Sequence, residues 1–402
     1  MVHAIAKPAD RPTDDELVRR VHGIGEIIRA NAAEAERTRR IPEESIRALT
    51  DAGLFRLGTP RRYGGYETSA KTMLDVSSAV AEYDGSTAWV VTLINVACWS
   101  AGLFSTRAQD EVWGTNPDAK VTGVLGSPTA EARPAQGGIR VSGKWYYNSG
   151  ALHSEWSLLG APRIDEDGTV IGHNIFIVPA SEIEIEDTWF VAGMRGTGSN
   201  AVIAQDLFVP GHRVIATIAA AEGRHENELV ADEPLYRSAW NPLLVLVLVG
   251  PQLGLARDAL RRVTAQAATR AISLTTYAAE RDSAVFQTQI ARASLLIDSA
   301  HLHAYRSAAD IDGAAVAGTY PDPVARSRVR AECGWVVELV RDAITHLIDA
   351  YGAGSYADRN PLQRIWRDSS VAAHHALLTP AVGYEVYGKQ LLGVDEQVVP
   401  FI

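Results

Sequence analysis

His374 and His375 are the histidines whose surroundings suit proton transfer. They follow Arg367 and Asp368, and they lie in a run of small residues, 371–376, that is predicted to be helical. An imidazole in an apolar pocket changes its charge near neutral pH and can serve as a general base or acid. A structural histidine held by a hydrogen bond explains the same residues, so both interpretations stay open at this stage.

A second candidate is a glycine-rich turn, Gly193-Met-Arg-Gly-Thr-Gly-Ser199. It precedes no predicted helix and therefore makes a poor phosphate cradle of the dinucleotide-binding type. A turn permitted by its glycines is the simplest explanation. The hydroxyls of Thr197 and Ser199, together with several backbone N–H groups, nevertheless suit the carbonyls and ring nitrogens of a planar heterocycle.

The third candidate is an aromatic segment, 144–156. Aromatic residues of this kind usually pack the face of a sheet. Packing does not explain why the predicted strand ends in Asn148-Ser149-Gly150, or why His153 follows three residues after the glycine. The end of this strand is therefore a candidate for binding or catalysis.

Several kinds of site leave sequence signatures that this chain lacks. It has no Walker phosphate loop, no Gly-x-Gly-x-x-Gly between a strand and a helix, no His-Glu-x-x-His and no Cys-x-x-Cys. The two cysteines, Cys98 and Cys333, lie in apolar surroundings, so we expect neither a disulfide framework nor a metal site. A net charge of -10, from 38 basic and 48 acidic residues, argues against a nucleic-acid partner.

The same composition bears on where the protein works. The first twelve residues have no continuous apolar stretch and do not resemble a signal peptide. The longest purely aliphatic run, 243–249, is much shorter than the roughly 20 residues of a membrane span. Since the chain also has only two cysteines, we expect a cytoplasmic protein that does not enter a membrane.

A length of 402 residues predicts two or three cooperating units. The first, 1–118, is predicted to be helical, with a capping box formed by Thr13 and Glu16. In 119–216, short β-branched and aromatic runs separated by turns predict an antiparallel sheet or barrel. The last unit, 217–402, is predicted to be an antiparallel helical bundle. Its four predicted helices cover 244–268, 283–312, 323–351 and 361–387.

Three motifs, in this order along the chain, resemble the acyl-CoA dehydrogenase superfamily. They are Trp189-Phe-x3-Gly-x-Arg-Gly-Thr-Gly-Ser199, Leu207-Phe-Val-Pro-x-x-Arg213 and Gly352-Ala-Gly-Ser-Tyr356 with the later Arg367-Asp368. The resemblance covers residues 16–393. It implies an α+β fold with an N-terminal helical domain, a central antiparallel β-barrel or sandwich, and a C-terminal four-helix bundle.

Within that superfamily, one position separates two branches with opposite flavin chemistry. Dehydrogenases that carry their base on the last helices have a glutamate nine residues after the arginine of the Arg-Asp pair, and here that residue is Ala376. His375 stands one residue earlier, where the flavin-dependent monooxygenase branch has its histidine. Ser149-Gly150-x-x-His153 and Ser86-Thr-Ala-Trp89-Val90 also resemble segments of the monooxygenase branch.

The resemblance implies the oxygenase component of a two-component flavin-dependent monooxygenase, a hydroxylase of the group D type. Such a protein receives reduced FMN or FAD as a diffusible flavin from a separate flavin reductase. With O2 as co-substrate, it hydroxylates an aromatic substrate, phenolic or polyketide-like, through a C4a-hydroperoxyflavin. Members of the superfamily are usually tetramers, so a homotetramer is expected.

The resemblance also implies roles for single residues. His375 would be the general base toward a phenolic substrate, or the proton donor that stabilises the hydroperoxide, and Ser149 would lie at flavin N5. Several members of the branch have a second histidine at the position of Ala97, so Asn95 becomes the candidate for a second acid–base group. The implied flavin contacts are Trp89, Ser127, Ser149, His153, Trp189, Thr197, Gly198, Ser199 and, at the flavin phosphate of its own or a neighbouring subunit, Arg270.

Three alternatives stay open. The same fold could oxidise a nitrogen or sulfur atom, which needs no deprotonation at carbon. It could be an acyl-CoA dehydrogenase with a displaced base, for which Glu385 is the nearby carboxylate. It could also be a helical scaffold with a degenerate flavin pocket, although the intact Ser149, Thr197 and His375 argue against this.

Overall fold

The computed structural model describes residues 11–224, 229 and 232–402. A helical N-terminal region, a central sheet and a helical C-terminal region confirm the α+β class. The boundaries at 118 and 216 stay predictions, and residues 1–10, part of the segment without a predicted signal peptide, lie outside the described residues. The helices are α1 (Asp14–Thr38), α2 (Glu43–Asp51), α3 (Ala70–Ala81), α4 (Gly85–Ala101), α5 (Thr106–Trp113), α6 (Thr217–Ala221), α7 (Trp240–Val247), α8 (Val249–Gln266), α9 (Ala284–Ala317), α10 (Pro323–Tyr351), α11 (Pro361–Ala372) and α12 (Pro380–Leu392). The strands are β1 (Val121–Val124), β2 (Glu131–Ala135), β3 (Gly138–Asn148), β4 (Trp156–Ile164), β5 (Val170–Pro179), β6 (Glu184–Glu186), β7 (Asn200–Pro210) and β8 (Val214–Ala216).

Helix α4 lies at the centre of the molecule and contacts α3, α8 and β1. Its sequence is apolar on all sides, which is typical of a helix with no face toward solvent. Its start is fixed by Asp84, whose side chain accepts a hydrogen bond from the Thr87 N–H at 2.8 Å. The predicted cap of α1 is present too, since the Thr13 hydroxyl accepts from the Glu16 N–H at 3.2 Å.

The central sheet is mixed, so the prediction of a purely antiparallel sheet is wrong in this respect. In the described residues the strand order is β6-β7-β3-β2-β4-β5-β8, with β1 also beside β4. Strand β4 runs parallel to β1, with Val121 opposite Trp156, and parallel to β2 at one residue pair. The registers give the reason: β5 pairs with the whole length of β4, and β1 and then β2 follow each other along the remaining edge of β4, both in the direction of β4.

Two of the four helices predicted for the C-terminal region are interrupted. The segment 244–268 spans the second half of α7 and all of α8, and the segment 361–387 breaks between Ala372 and Pro380. Proline has no N–H to continue a helix, but it fits the first turn of a new one, which is where Pro380 stands. His375 therefore lies in this break, although the sequence predicted it to be part of a helix.

The N-terminal and C-terminal helices share one hydrophobic core, whereas the sheet has a second core of its own. Helices α3 and α8 meet where α8 presents Gly250 and Gly254. A Cβ atom added at Gly254 would lie 2.0 Å from the Ser78 carbonyl oxygen, and one at Gly250 would lie 2.7 Å from Ser77 Oγ. The absence of a side chain at both positions allows the two helices to pack directly against each other.

One helical stretch, Trp240–Gln266, is long and apolar enough to cross a membrane by length and composition, with a mean hydropathy of 1.6 in its most apolar window. Within the protein, 89% of that window is buried. Packing in the shared core accounts for its composition.

Candidate functional site

Two loops lie side by side at one end of the sheet. Strand β3 ends at Asn148 and continues into Ser149 and Gly150, whose φ of 79° is in the left-handed region that favours glycine. The glycine-rich turn leads into β7 through Gly198, with a φ of 53°. The Gly150 N–H donates to the Thr197 carbonyl at 3.0 Å and holds the two loops together.

The loops and α4 place four polar side chains in one hydrogen-bonded chain. Trp89 Nε1 donates to Ser149 Oγ at 3.2 Å, and Ser149 Oγ lies 2.6 Å from Ser199 Oγ. Ser199 Oγ lies 2.6 Å from Thr197 Oγ1, which donates to the Met194 carbonyl at 2.8 Å. Each of these side chains is 5% exposed or less. The structure thus brings together four of the residues predicted to contact the flavin.

His375 faces the same cluster across Trp89. The two rings are 5.8 Å apart between centroids, in an edge-to-face arrangement. His375 Nδ1 accepts a hydrogen bond from the Leu377 N–H at 3.3 Å, which assigns the proton of the neutral ring to Nε2. Burial lowers the pKa of His375 to about 4. The imidazole is therefore neutral at physiological pH.

The glycine-rich turn packs against α11 and is hydrogen-bonded to it. The Met194 N–H donates to Asp368 Oδ1 at 2.5 Å, and a Cβ at Gly193 would lie 2.3 Å from the Arg367 carbonyl oxygen. Burial, and then the nearby Asp84, raise the pKa of Asp368 to about 7. The sequence showed Asp368 as part of a motif but did not show that it binds the glycine-rich turn. The sequence signal for this function is an acidic residue among the buried residues of α11.

Aromatic side chains form one wall of the site. Trp189 Nε1 donates to the Met194 carbonyl at 2.9 Å, and the Trp189 ring lies 6.0 Å from that of Tyr147. Tyr147 has a φ of 71° and is 68% exposed, an unusual backbone for a bulky residue. Strained residues of this kind are concentrated at functional sites, and sequence reasoning did not single out Tyr147.

Ser127 and His153 lie on the neighbouring loops. Ser127 Oγ donates to the Lys144 carbonyl at 2.5 Å at the end of β1. His153 follows Gly150 in a short 3-10 turn, and its Nε2 is buried with no hydrogen-bond partner in the described residues. Burial, and then the charges of Arg40 and Lys120, lower the pKa of His153 to about 4.

The side chain of Asn95 is fully occupied by backbone groups. Its oxygen accepts from the Leu57 N–H at 2.9 Å, and its amide nitrogen donates to the carbonyls of Leu54 at 2.8 Å and Val91 at 2.9 Å. Asn95 is 2% exposed. Asn95 thus ties α4 to the segment after α2, and both hydrogens of its amide are already donated to backbone carbonyls. Its part as a second acid–base group stays a prediction.

Arg270 and Glu385 make their contacts elsewhere. Arg270 pairs with Glu280 at 2.7 Å, and its guanidinium stacks over the Tyr351 ring at 4.0 Å. Glu385 lies on α12 with its side chain 54% exposed and 3.8 Å from Lys389. An exposed, paired carboxylate is poorly placed to abstract a proton in a dry pocket, so the alternative of a dehydrogenase with a displaced base lacks its base.

Comparison with known families decides the relationship. The family model described as "Acyl-CoA dehydrogenase, N-terminal domain" matches residues 16–115, and "Acyl-CoA dehydrogenase, C-terminal domain" matches residues 246–380. Together they cover more than half of the chain. The chain belongs to the acyl-CoA dehydrogenase family.

Within the acyl-CoA dehydrogenase family, the chain is similar to oxygenase components. It is 32% identical to the flavin-dependent monooxygenase oxygenase subunit HsaA of Rhodococcus jostii, over 94% of this chain and 98% of that protein. It is 31% identical to the FADH2-dependent resorcinol hydroxylase, oxygenase component, of a Rhizobium species, over 98% of each. These relatives place the chain in the monooxygenase branch of the family.

A solved structure agrees. XiaF from a Streptomyces species, in complex with FADH2 and glycerol, is 37% identical and superimposes with a TM-score of 0.91 over 97% of this chain and 98% of that one.

Proposed function

We propose that this protein is the oxygenase component of a two-component flavin-dependent monooxygenase that hydroxylates an aromatic, phenolic or polyketide-like, substrate with O2. The observation that carries the proposal is the buried hydroxyl chain from Trp89 to Met194, with the His375 ring in edge-to-face contact with the same tryptophan. A binding surface for a planar polar ring and a neutral imidazole thus meet at one place. The named relatives support the reaction class.

The residues of the site fit a flavin. Ser149 offers a buried hydroxyl for ring nitrogen N5, and Thr197 with Ser199 extends the polar edge. Gly198 has a φ of 53°, which favours glycine, and a Cβ there would make a tight contact of 3.0 Å with the Arg39 carbonyl oxygen. Trp189 supplies an aromatic wall. When bound, a reduced flavin supplies the two electrons with which O2 is activated.

Other contacts toward the flavin belong to the proposal as well. His153 and Ser127 are proposed to contact polar atoms of the cofactor. His153 Nε2 is buried and has no partner in the described residues, which supports this role. Arg270 is proposed to reach the phosphate of a flavin in its own or a neighbouring subunit. The reduced cofactor is FMN or FAD, and the two relatives described with FADH2 favour FAD.

His375 is proposed to handle the proton of the substrate hydroxyl. A neutral imidazole can remove that proton, which makes the aromatic carbon a better nucleophile. Nδ1 already accepts the Leu377 N–H, so base catalysis at Nε2 requires the ring hydrogen to move to Nδ1 at the expense of a long 3.3 Å bond. The competing role is hydrogen-bond donation from Nε2–H, and the pH profile described in the Discussion separates the two.

The reaction class is tested with isotopic oxygen. The purified protein is mixed with 18O2, a panel of phenols and aromatic polyketides, and reduced FAD or FMN delivered by a generic flavin reductase. We expect a hydroxylated product that carries one 18O atom. Label on a nitrogen or sulfur atom of a heterocyclic substrate would favour N- or S-oxygenation instead. Anaerobic bleaching of bound oxidised flavin by an acyl-CoA would contradict the monooxygenase.

The proposal extends to assembly and location. Large apolar side chains remain exposed on the C-terminal helices, among them Leu295, Leu302 and Leu392. Burial of such side chains against further copies of the chain supports a homotetramer. Two buried free cysteines are compatible with a reducing cytoplasm.

A further inference from the structure

The hydroxyl chain has only one possible direction in the arrangement observed. Each hydroxyl has a single hydrogen, and the Met194 carbonyl can only accept. Thr197 therefore donates to Met194, Ser199 donates to Thr197, and Ser149 donates to Ser199. The hydrogen of Ser149 points along the chain and away from any further partner.

The opposite end of the chain leads to the same result. The indole N–H of Trp89 can only donate, and it occupies one lone pair of Ser149 Oγ. Ser149 then has one lone pair left and no hydrogen. Toward a ligand, this serine is an acceptor and not a donor.

The end at Met194 is itself fixed. Its carbonyl also accepts from Trp189 Nε1 at 2.9 Å, and its N–H donates to Asp368 Oδ1. Because both sides of this residue are bound, the carbonyl stays directed at Thr197. Reversal of the chain would leave two oxygens, Thr197 Oγ1 and the Met194 carbonyl, facing each other at 2.8 Å with no hydrogen between them.

We propose that Thr197 and Ser199, acting through Ser149, make the site selective for the reduced form of the flavin. This inference rests on the proposed function. Reduced flavin carries a hydrogen on N5, whereas N5 of oxidised flavin offers only a lone pair. The remaining lone pair of Ser149 accepts the hydrogen of the reduced ring but repels the lone pair of the oxidised ring. Thr197 and Ser199 are thus positioning residues that fix the polarity of Ser149.

The test compares the affinities for the two redox forms. The full-length protein is titrated anaerobically with dithionite-reduced FAD and with oxidised FAD, and both titrations are repeated with FMN. The quantity compared is the dissociation constant of the oxidised flavin divided by that of the reduced flavin. The wild type is expected to bind reduced flavin more tightly. Ser199→Ala and Thr197→Val each free the Ser149 hydrogen for oxidised N5, so the ratio falls about threefold to tenfold, the effect of one neutral hydrogen bond.

Thr197→Ser is the matched control, since it keeps the hydroxyl and is expected to keep the ratio. The potential of the bound flavin is a second readout, because a tenfold change in the ratio equals about 30 mV for a two-electron couple. Unchanged ratios in both Ser199→Ala and Thr197→Val, or a wild-type ratio near one, would overturn the inference and leave the proposed function intact. If wild type binds neither redox form, the proposed function itself fails, and the inference with it.

Discussion

His375 determines, at the scale of single residues, whether the site can move a proton. His375→Ala is expected to reduce product formation by about 100-fold or more, the usual effect of losing a general base. Affinity for reduced flavin should stay close to wild type. Turnover at saturating flavin and substrate, together with flavin titration, measures both. The exposed neighbour His374, bound to the Ser370 carbonyl, gives the control variant His374→Ala.

The pH profile distinguishes the two roles of His375. Since burial lowers its pKa to about 4, the imidazole is neutral above that pH. A base is active in this neutral form, so kcat/KM should stay level from pH 8 down to about 5 and fall toward pH 4. Nε2–H is present in both the neutral and the protonated ring, so a rate that stays level down to pH 4 and below would assign the hydrogen-bond-donating role. An acid limb near 6.5 would contradict the lowered pKa of His375.

Asn95 is expected to matter for stability. Asn95→Ala removes its bonds to Leu57 and Leu54 and leaves buried backbone groups unpaired, which lowers the free energy of unfolding by about 2–4 kcal/mol. Urea denaturation measures this loss. Ser100→Ala is a control on the same helix, because its buried hydroxyl has no hydrogen-bond partner in the part of the chain that the structure describes. Wild-type stability with strongly reduced turnover would instead support the catalytic hypothesis for Asn95.

At the scale of elements, helix α11 supports the glycine-rich turn through a carboxyl group with a raised pKa. Folded Asp368 keeps its proton up to about pH 7, whereas the ordinary pKa of an aspartate is 3.8. The folded state thus binds more protons than the unfolded chain between these values, and its stability falls as pH rises through this window, by up to about 1.4 kcal/mol per pH unit. Asp368→Asn keeps an acceptor for the Met194 N–H but cannot titrate, so it removes this pH dependence of the stability.

Denaturation of wild type and Asp368→Asn at pH 4, 5, 6, 7 and 8 checks this expectation. The stability of the variant relative to wild type should increase from pH 4 to pH 7 and then become constant. A difference that does not change with pH would contradict the raised pKa.

Elements were predictable from sequence where local signals determine them. The cap at Thr13 and the glycine-rich turn follow from side chains within a few residues, and both are present. The parallel pairing of β1 with β4 depends on residues 35 positions apart, such as Val121 and Trp156, and has no local signal. The break before Pro380 did have one, since a proline seldom continues a helix.

In the candidate site, too, contacts between residues that are distant in sequence could not be predicted. Residue types and the family resemblance pointed to Ser149, Thr197, Ser199 and His375, and the fold brings these together around Trp89. Asn95 was assigned from its distance along the helix to a motif position. Its satisfaction by three backbone groups depends on a loop that reaches α4 only in the folded protein, and no spacing rule could show this.

At the scale of the whole molecule, assembly is the open prediction. Leu295 and Leu302 lie seven residues apart, on one face of α9, and are 66% and 74% exposed. Light scattering is expected to give the mass of four chains, and the double variant Leu295→Lys, Leu302→Lys should give a smaller assembly. Val170→Lys, an exposed position at the start of β5, is the control. A monomeric wild type would contradict the tetramer.

The glycine contact between α3 and α8 has a consequence for how the protein is made. The two helices belong to the same core, yet about 170 residues, including the entire sheet, separate them along the chain. During synthesis, the N-terminal helices emerge from the ribosome long before the surface that covers them. Folding cannot then proceed region by region from the N-terminus. The apolar face of α3 has to be shielded from aggregation until Gly250 and Gly254 have been translated.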